Sequence, residues 1–109
     1  MLEALEAVIV SRRTAPSATS YTSTLLTAGP AAIGAKVTEE AAELVQAAVA
    51  ESDERVVSEA ADLVYHTLVL LACRGLTLES VGAELGRRFG VSGLVEKAAR
   101  RPAAPEATP

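Results

Sequence analysis

Five carboxylates fall in two short clusters, Lys36-Val37-Thr38-Glu39-Glu40-Ala41-Ala42-Glu43 and Glu59-Ala60-Ala61-Asp62-Leu63-Val64-Tyr65-His66. Within each cluster the acids recur three or four residues apart, which places them along one side of a helix. At about 100° per residue from Glu40, Ile33, Leu44 and Val37 lie within roughly 60° on one side, and Glu43 and Glu39 lie roughly 60° and 100° on the other. From Glu59, Leu70 and Leu63 lie within roughly 40°, and Asp62 roughly 60° the other way. A solvated carboxylate faces away from the apolar stripe of its helix. These acids stand at its margin.

Acids in that position repel one another, by about 0.2–0.5 kcal/mol per pair even at a surface, and partial burial adds to the cost. The single lysine nearby, Lys36, cannot offset five of them. A divalent cation can, and all-oxygen ligands select Mg²⁺, Mn²⁺ or Ca²⁺ over zinc. The plainer alternative is a charged helix face in water. If the two helices are antiparallel neighbours, Glu40 and Glu43 meet Glu59 and Asp62. Such a site holds one or two Mg²⁺ with open positions for water and phosphate oxygens, which suits hydrolysis of a nucleoside triphosphate. A spare carboxylate such as Glu39 is then available as a base. A di-iron bundle would want paired Glu-x-x-His motifs. Here the second cluster is Glu-x-x-Asp, and the only histidine, His66, follows Glu59 by seven positions. Its simplest role is a hydrogen bond to a neighbouring acid. No P-loop or nucleophile elbow occurs.

Helices must position these groups. The chain has 109 residues, enough for one domain, and is half apolar but only 3% aromatic, which favours Ala/Leu/Val helix packing over a β-sandwich. The pattern predicts an amphipathic helix over Leu2–Arg13, closed by the basic pair Arg12-Arg13. A short hydroxyl-rich helix follows, with Ser20 as N-cap and Gly29 as its C-terminal glycine. The first acidic helix begins after Pro30 and reaches Ala50. After a polar turn, the second runs from about Glu54 to Arg74, capped by Ser52 or Asp53 and ended by Gly75. Thr77 caps another helix, closed by Arg87-Arg88, and Ser92 a last one to about Arg100. Residues 101–109 are rich in Pro and Ala and read as a disordered tail to a single domain over 1–100. The second acidic helix is apolar nearly all round, through Leu63, Val64, Leu68, Val69, Leu70 and Leu71. A helical hairpin alone cannot cover it, so a partner subunit is expected.

Net charge is −4, with a pI near 5.0 and no basic run, which argues against nucleic-acid binding. The lone Cys73 excludes an intrachain disulfide or a thiolate zinc site, and reads as a small buried hydrophobe. The Leu63–Cys73 run, interrupted by His66, is short for a bilayer. With no basic n-region at the start of the chain, no secretory signal is apparent. A cytoplasmic setting without membrane contact is the expectation.

Glu39-Glu40-x-x-Glu43 followed by Glu59-x-x-Asp62 resembles the EExxE…ExxD signature of the all-α, MazG-type nucleotide pyrophosphohydrolases. The longer string narrows this. Ser20-Tyr21-Thr22, Lys36-Val37-x-Glu39-Glu40-Ala41, the Glu59–His66 segment, Leu68–Ala72, Arg74–Leu78, and Ser92-Gly93-Leu94 with Glu96-Lys97-Ala98 resemble the phosphoribosyl-ATP pyrophosphohydrolase family of histidine biosynthesis. The resemblance spans the chain to about Arg100. It implies hydrolysis of phosphoribosyl-ATP to phosphoribosyl-AMP and pyrophosphate, with Mg²⁺, by an all-α helical bundle completed in an intertwined homodimer. It implies Glu40, Glu43, Glu59 and Asp62 as metal ligands and Lys36, Arg12, Arg13 and Tyr21 as substrate contacts. Glu39 and Glu40 are the candidate catalytic acids, and Mn²⁺ is the alternative metal. Thr38 departs from the Gly expected before the acidic pair, a matter of packing more than chemistry. No cyclohydrolase domain accompanies the motif, so the following step is expected of another protein. Two other readings compete: a housecleaning pyrophosphohydrolase of dNTPs or damaged nucleotides, and a non-enzymatic helical dimerisation module.

Overall fold

The structure, a computed structural model, describes residues 1–90. It contains five helices and no strand among the described residues: α1 (Leu2–Thr14), α2 (Tyr21–Ala28), α3 (Pro30–Ala50), α4 (Asp53–Cys73) and α5 (Leu78–Phe89). The all-α class expected from composition and periodicity is what the chain adopts. The helix expected after Ser92 and the tail over 101–109 lie outside the described residues.

Local chemistry sets the boundaries. Ser20 Oγ accepts from the Ser23 backbone N–H at 3.1 Å, and Ser52 Oγ from that of Arg55 at 3.3 Å, which satisfies one orphan donor at each helix start. Pro30 opens α3, where its missing N–H costs nothing. Between α2 and α3, Gly29 sits at φ 96°, and after α4, Gly75 at φ 71°, a region that side chains disfavour.

The chain divides into two compact units, Met1–Thr77 and Leu78 onward. In the first, α3 and α4 form an extensively packed antiparallel hairpin, joined by only Glu51 and Ser52. Both α1 and α2 also pack on α4, which makes α4 the central element. The core is drawn from all four helices: Ile9, Leu25, Ile33, Ala47, Leu68, Val69 and Ala72. The second unit contains α5, where Glu84 accepts from Arg87 and Arg88 in its last turn.

By length and composition alone α4 could cross a bilayer, so the whole helix is longer than its Leu63–Cys73 run suggested. Here it lies among three helices and buries the polar Glu59 and His66. The described residues cover one side of it only. Val57 and Val64 remain exposed, as do Val45 and Val49 on α3.

Candidate active site

The hairpin brings three of the predicted acids together. One carboxylate oxygen from each of Glu40, Glu43 and Glu59 lies within 4.8 Å of the others. Glu40 and Glu59 are buried, at 9% and 3% exposure. Their Oε2 atoms have no hydrogen-bond partner. A buried, unpaired carboxylate oxygen is costly, and two of them converging with a third acid need a cation or a proton. The Glu59 carboxyl is accordingly held above the ordinary carboxylate range. The largest cause is the facing Glu43 carboxyl, whose approach favours a shared proton; burial adds to it, and Arg55 opposes it. A hard divalent cation fits this donor set, since three anionic oxygens from two helices leave open positions for water or phosphate.

Asp62 is exposed on α4, one turn beyond Glu59, and its carboxylate lies outside this group of three. Glu39 is exposed as well and pairs with Lys36 at 3.8 Å. Lys36 thus pairs with Glu39 at i,i+3 and not with Glu40 at i,i+4. The reason is burial: Glu40 turns in toward α4, and the lysine follows the acid that stays in water.

Arg55, in the first turn of α4, was given no role in the sequence reading. Its guanidinium donates to Glu51 at 3.3 Å and to Glu59 Oε1 in a close ion pair. Glu51, Arg55 and Glu59 are spaced four apart, the signal that would have revealed it. Arg55 occupies Glu59 Oε1 and leaves the buried Oε2 without a hydrogen-bond partner.

One turn past Asp62, His66 is buried. Its Nδ1 lies 2.8 Å from the Asp62 carbonyl oxygen, so Nδ1 carries the proton and donates. The expected bond to a neighbouring acid thus goes to that acid's backbone instead of its carboxylate. Its Nε2 lies 3.2 Å from the Tyr21 hydroxyl, and in the neutral ring it accepts from that O–H. The Tyr65 hydroxyl bonds Thr22 Oγ1 on α2. The hydroxyls of α2 thus go largely into structure, since Ser23 Oγ also accepts from the Ser17 N–H at 2.9 Å. The Tyr21 and Tyr65 rings stack with centroids 6.3 Å apart, and Tyr21 stays about half exposed.

Arg12 and Arg13 are elsewhere. With Ser23, Leu26, Thr27 and Cys73 they line a cavity of about 140 Å³ to which none of the acids contributes. Cys73 is only half-buried there, less enclosed than a core thiol.

This arrangement, with carboxylates from two antiparallel helices converging beside a tyrosine–histidine cluster, has a counterpart in sequence. The profile of the family described as phosphoribosyl-ATP pyrophosphohydrolase matches residues 2–89. The chain belongs to this family. It is similar to phosphoribosyl-ATP pyrophosphatase of Rhodospirillum rubrum, 52% identical over 101 residues, 93% of this chain and 86% of that protein. The Erythrobacter litoralis protein of the same name is 52% identical over 91% of this chain and 95% of its own length. That of Zymomonas mobilis is 53% identical, covering 88% and 90%. Family membership makes the chain a hydrolase, as the sequence resemblance implies, and sets aside the non-enzymatic dimerisation module.

Proposed function

We propose that the protein hydrolyses phosphoribosyl-ATP to phosphoribosyl-AMP and pyrophosphate, the second step of L-histidine biosynthesis, at the Glu40–Glu43–Glu59 cluster with bound Mg²⁺, or Mn²⁺ as the alternative. The observation that supports this most is the pair of buried, partnerless oxygens on Glu40 and Glu59 in a chain whose family profile covers nearly all the described residues. The cation supplies charge neutralisation of the triphosphate and a more acidic bound water. Glu40, Glu43 and Glu59 would hold it, with exposed Asp62, one turn along α4, as the candidate fourth ligand. Glu39 takes the proton of the attacking water. The water oxygen bonds to phosphorus, the bridging P–O bond breaks, and pyrophosphate carries away the electron pair. Lys36, beside Glu39, contacts the departing phosphates.

The test is pyrophosphate release by the purified protein with Mg²⁺, measured on phosphoribosyl-ATP and on a panel of common and modified nucleotides. Selective release from phosphoribosyl-ATP is expected. Selective release from a dNTP or damaged nucleotide would replace this reading with the housecleaning one.

The functional unit in this proposal is a soluble, cytoplasmic homodimer without nucleic-acid or membrane partners. Val57 and Val64 recur seven apart on α4, roughly 140–160° around the helix from Glu59; Val45 and Val49 lie similarly far around α3 from Glu40. All four are exposed. An apolar strip on the outer side of both hairpin helices suits a second copy of the same hairpin. The double variant Val57→Lys, Val64→Lys is expected to sediment as a monomer at micromolar concentration where the parent is a dimer. A variant that stays dimeric would place the interface elsewhere.

A further inference from the structure

Arg12 and Arg13 are adjacent guanidiniums with no ion-pair partner among the described residues, whereas Arg55, Arg87 and Arg88 are all paired. In a chain of net charge −4, two arginines that line one cavity and have no ion-pair partner among the described residues are an unspent anion-binding capacity. The same cavity offers the hydroxyls of Ser23 and Thr27. Ser23 is buried, and its oxygen already accepts from Ser17 N–H, which leaves its proton to donate. On the other side the Arg13 guanidinium lies over Gly75, where a Cβ would come within 3.1 Å of Nη1. Forked N–H donors and hydroxyls around about 140 Å³ suit a phosphate monoester.

The position of this cavity along α4 gives it meaning. Glu59, His66 and Cys73 recur every seven residues. Each step advances about 10 Å along the helix and drifts only about 20° around it. One stripe of α4 therefore carries three stations over about 20 Å. The first is the acid cluster, completed by α3. The second is His66, with Tyr65 beside it and the half-exposed Tyr21 ring supplied by α2. The third is the cavity at Cys73, completed by Arg12 and Arg13 from α1.

We infer that this cavity is the subsite for the ribose-bound phosphate at the far end of the substrate, and that it sets selectivity against ordinary nucleotides. The inference rests on the reading of the acid cluster as the triphosphate end. Phosphoribosyl-ATP carries a triphosphate at one end, a base in its middle and a ribose phosphate at the other end, in the order of the three stations. An ordinary nucleoside triphosphate ends at its base and does not reach the guanidiniums, so the excess of cellular ATP gains nothing from this contact.

The experiment compares kcat/KM of the Mg²⁺-loaded protein on phosphoribosyl-ATP and on the same compound with its ribose monophosphate removed. The parent is expected to prefer the phosphorylated compound by about 100-fold or more, the scale of losing charge-assisted hydrogen bonds to one group. In Arg12→Gln, Arg13→Gln that preference collapses to within a few-fold, through KM for phosphoribosyl-ATP more than through kcat. The single variant Arg13→Gln, at an exposed position, shows part of the same collapse if the double variant fails to fold, and Arg13→Lys restores part of it. A parent that hydrolyses both compounds equally well, or variants that slow both by one factor, would overturn the subsite and leave the proposed reaction standing. A parent that cleaves neither compound yet cleaves ordinary nucleotides would overturn the reaction and the subsite together.

Discussion

Glu40→Gln is expected to hydrolyse phosphoribosyl-ATP at least about 10²-fold more slowly than the parent, since even an outer-shell partner of a metal site costs about 10–100-fold when removed. Its fold should survive. Glu40 is buried beside two other carboxylates, and its Oε2 has no partner. The amide removes one of three mutually repelling charges and brings N–H donors that the Glu59 Oε2 lacks. In chelator the variant should therefore melt no lower than the parent, while kcat falls with Mg²⁺ present. A site that loses function and gains apo stability together is one whose strain serves a ligand. Full activity of Glu40→Gln would remove the acid cluster from the mechanism. A sharp fall in melting temperature would mean that Glu40 is a structural acid, with a partner supplied from outside the described unit.

Much of this arrangement is legible in the sequence, because α3 and α4 are long, strongly periodic and ended by residues with specific backbone roles: Pro30, Ser52 and Gly75. The angular position of Glu40 and Glu59 at the apolar margin is a property of one helix, and burial follows once the short Glu51–Ser52 connection folds α4 back on α3. Contacts that depend on how helices meet were not legible. The Tyr21–His66 and Thr22–Tyr65 bonds join residues 45 and 43 positions apart. They exist because α2 docks across α4, and no local pattern fixes that docking. The choice of Lys36 between Glu39 and Glu40 likewise depends on which acid the packing leaves in water. Arg55 was missed for a different reason: its i,i±4 spacing to Glu51 and Glu59 is plain, but an arginine in the first turn of a helix reads as surface charge until Glu59 is known to be buried.

Mg²⁺ should raise the melting temperature substantially, and Glu59→Gln should abolish the rise. The folded hairpin gathers three carboxylates within 4.8 Å, whereas the unfolded chain disperses them, so a cation bound there binds the native state almost exclusively. At a free concentration about 100 times its Kd, such a ligand stabilises by about 2.7 kcal/mol. For a domain of this size each kcal/mol shifts the midpoint by roughly 4–8 °C, which gives a rise of roughly 10–20 °C. Non-specific screening of a net charge of −4 would also help the fold, but K⁺ at matched ionic strength reproduces that part. In Glu59→Gln the Mg²⁺-specific part should vanish, because the neutral amide cannot replace the carboxylate gathered with Glu40 and Glu43, while Arg55 loses its buried carboxylate partner and keeps Glu51. Calorimetric scans with Mg²⁺, K⁺ and chelator on both proteins decide the matter. Equal effects of Mg²⁺ and ionic-strength-matched K⁺ on the parent would reduce the acid cluster to ordinary charge crowding, with no cation site.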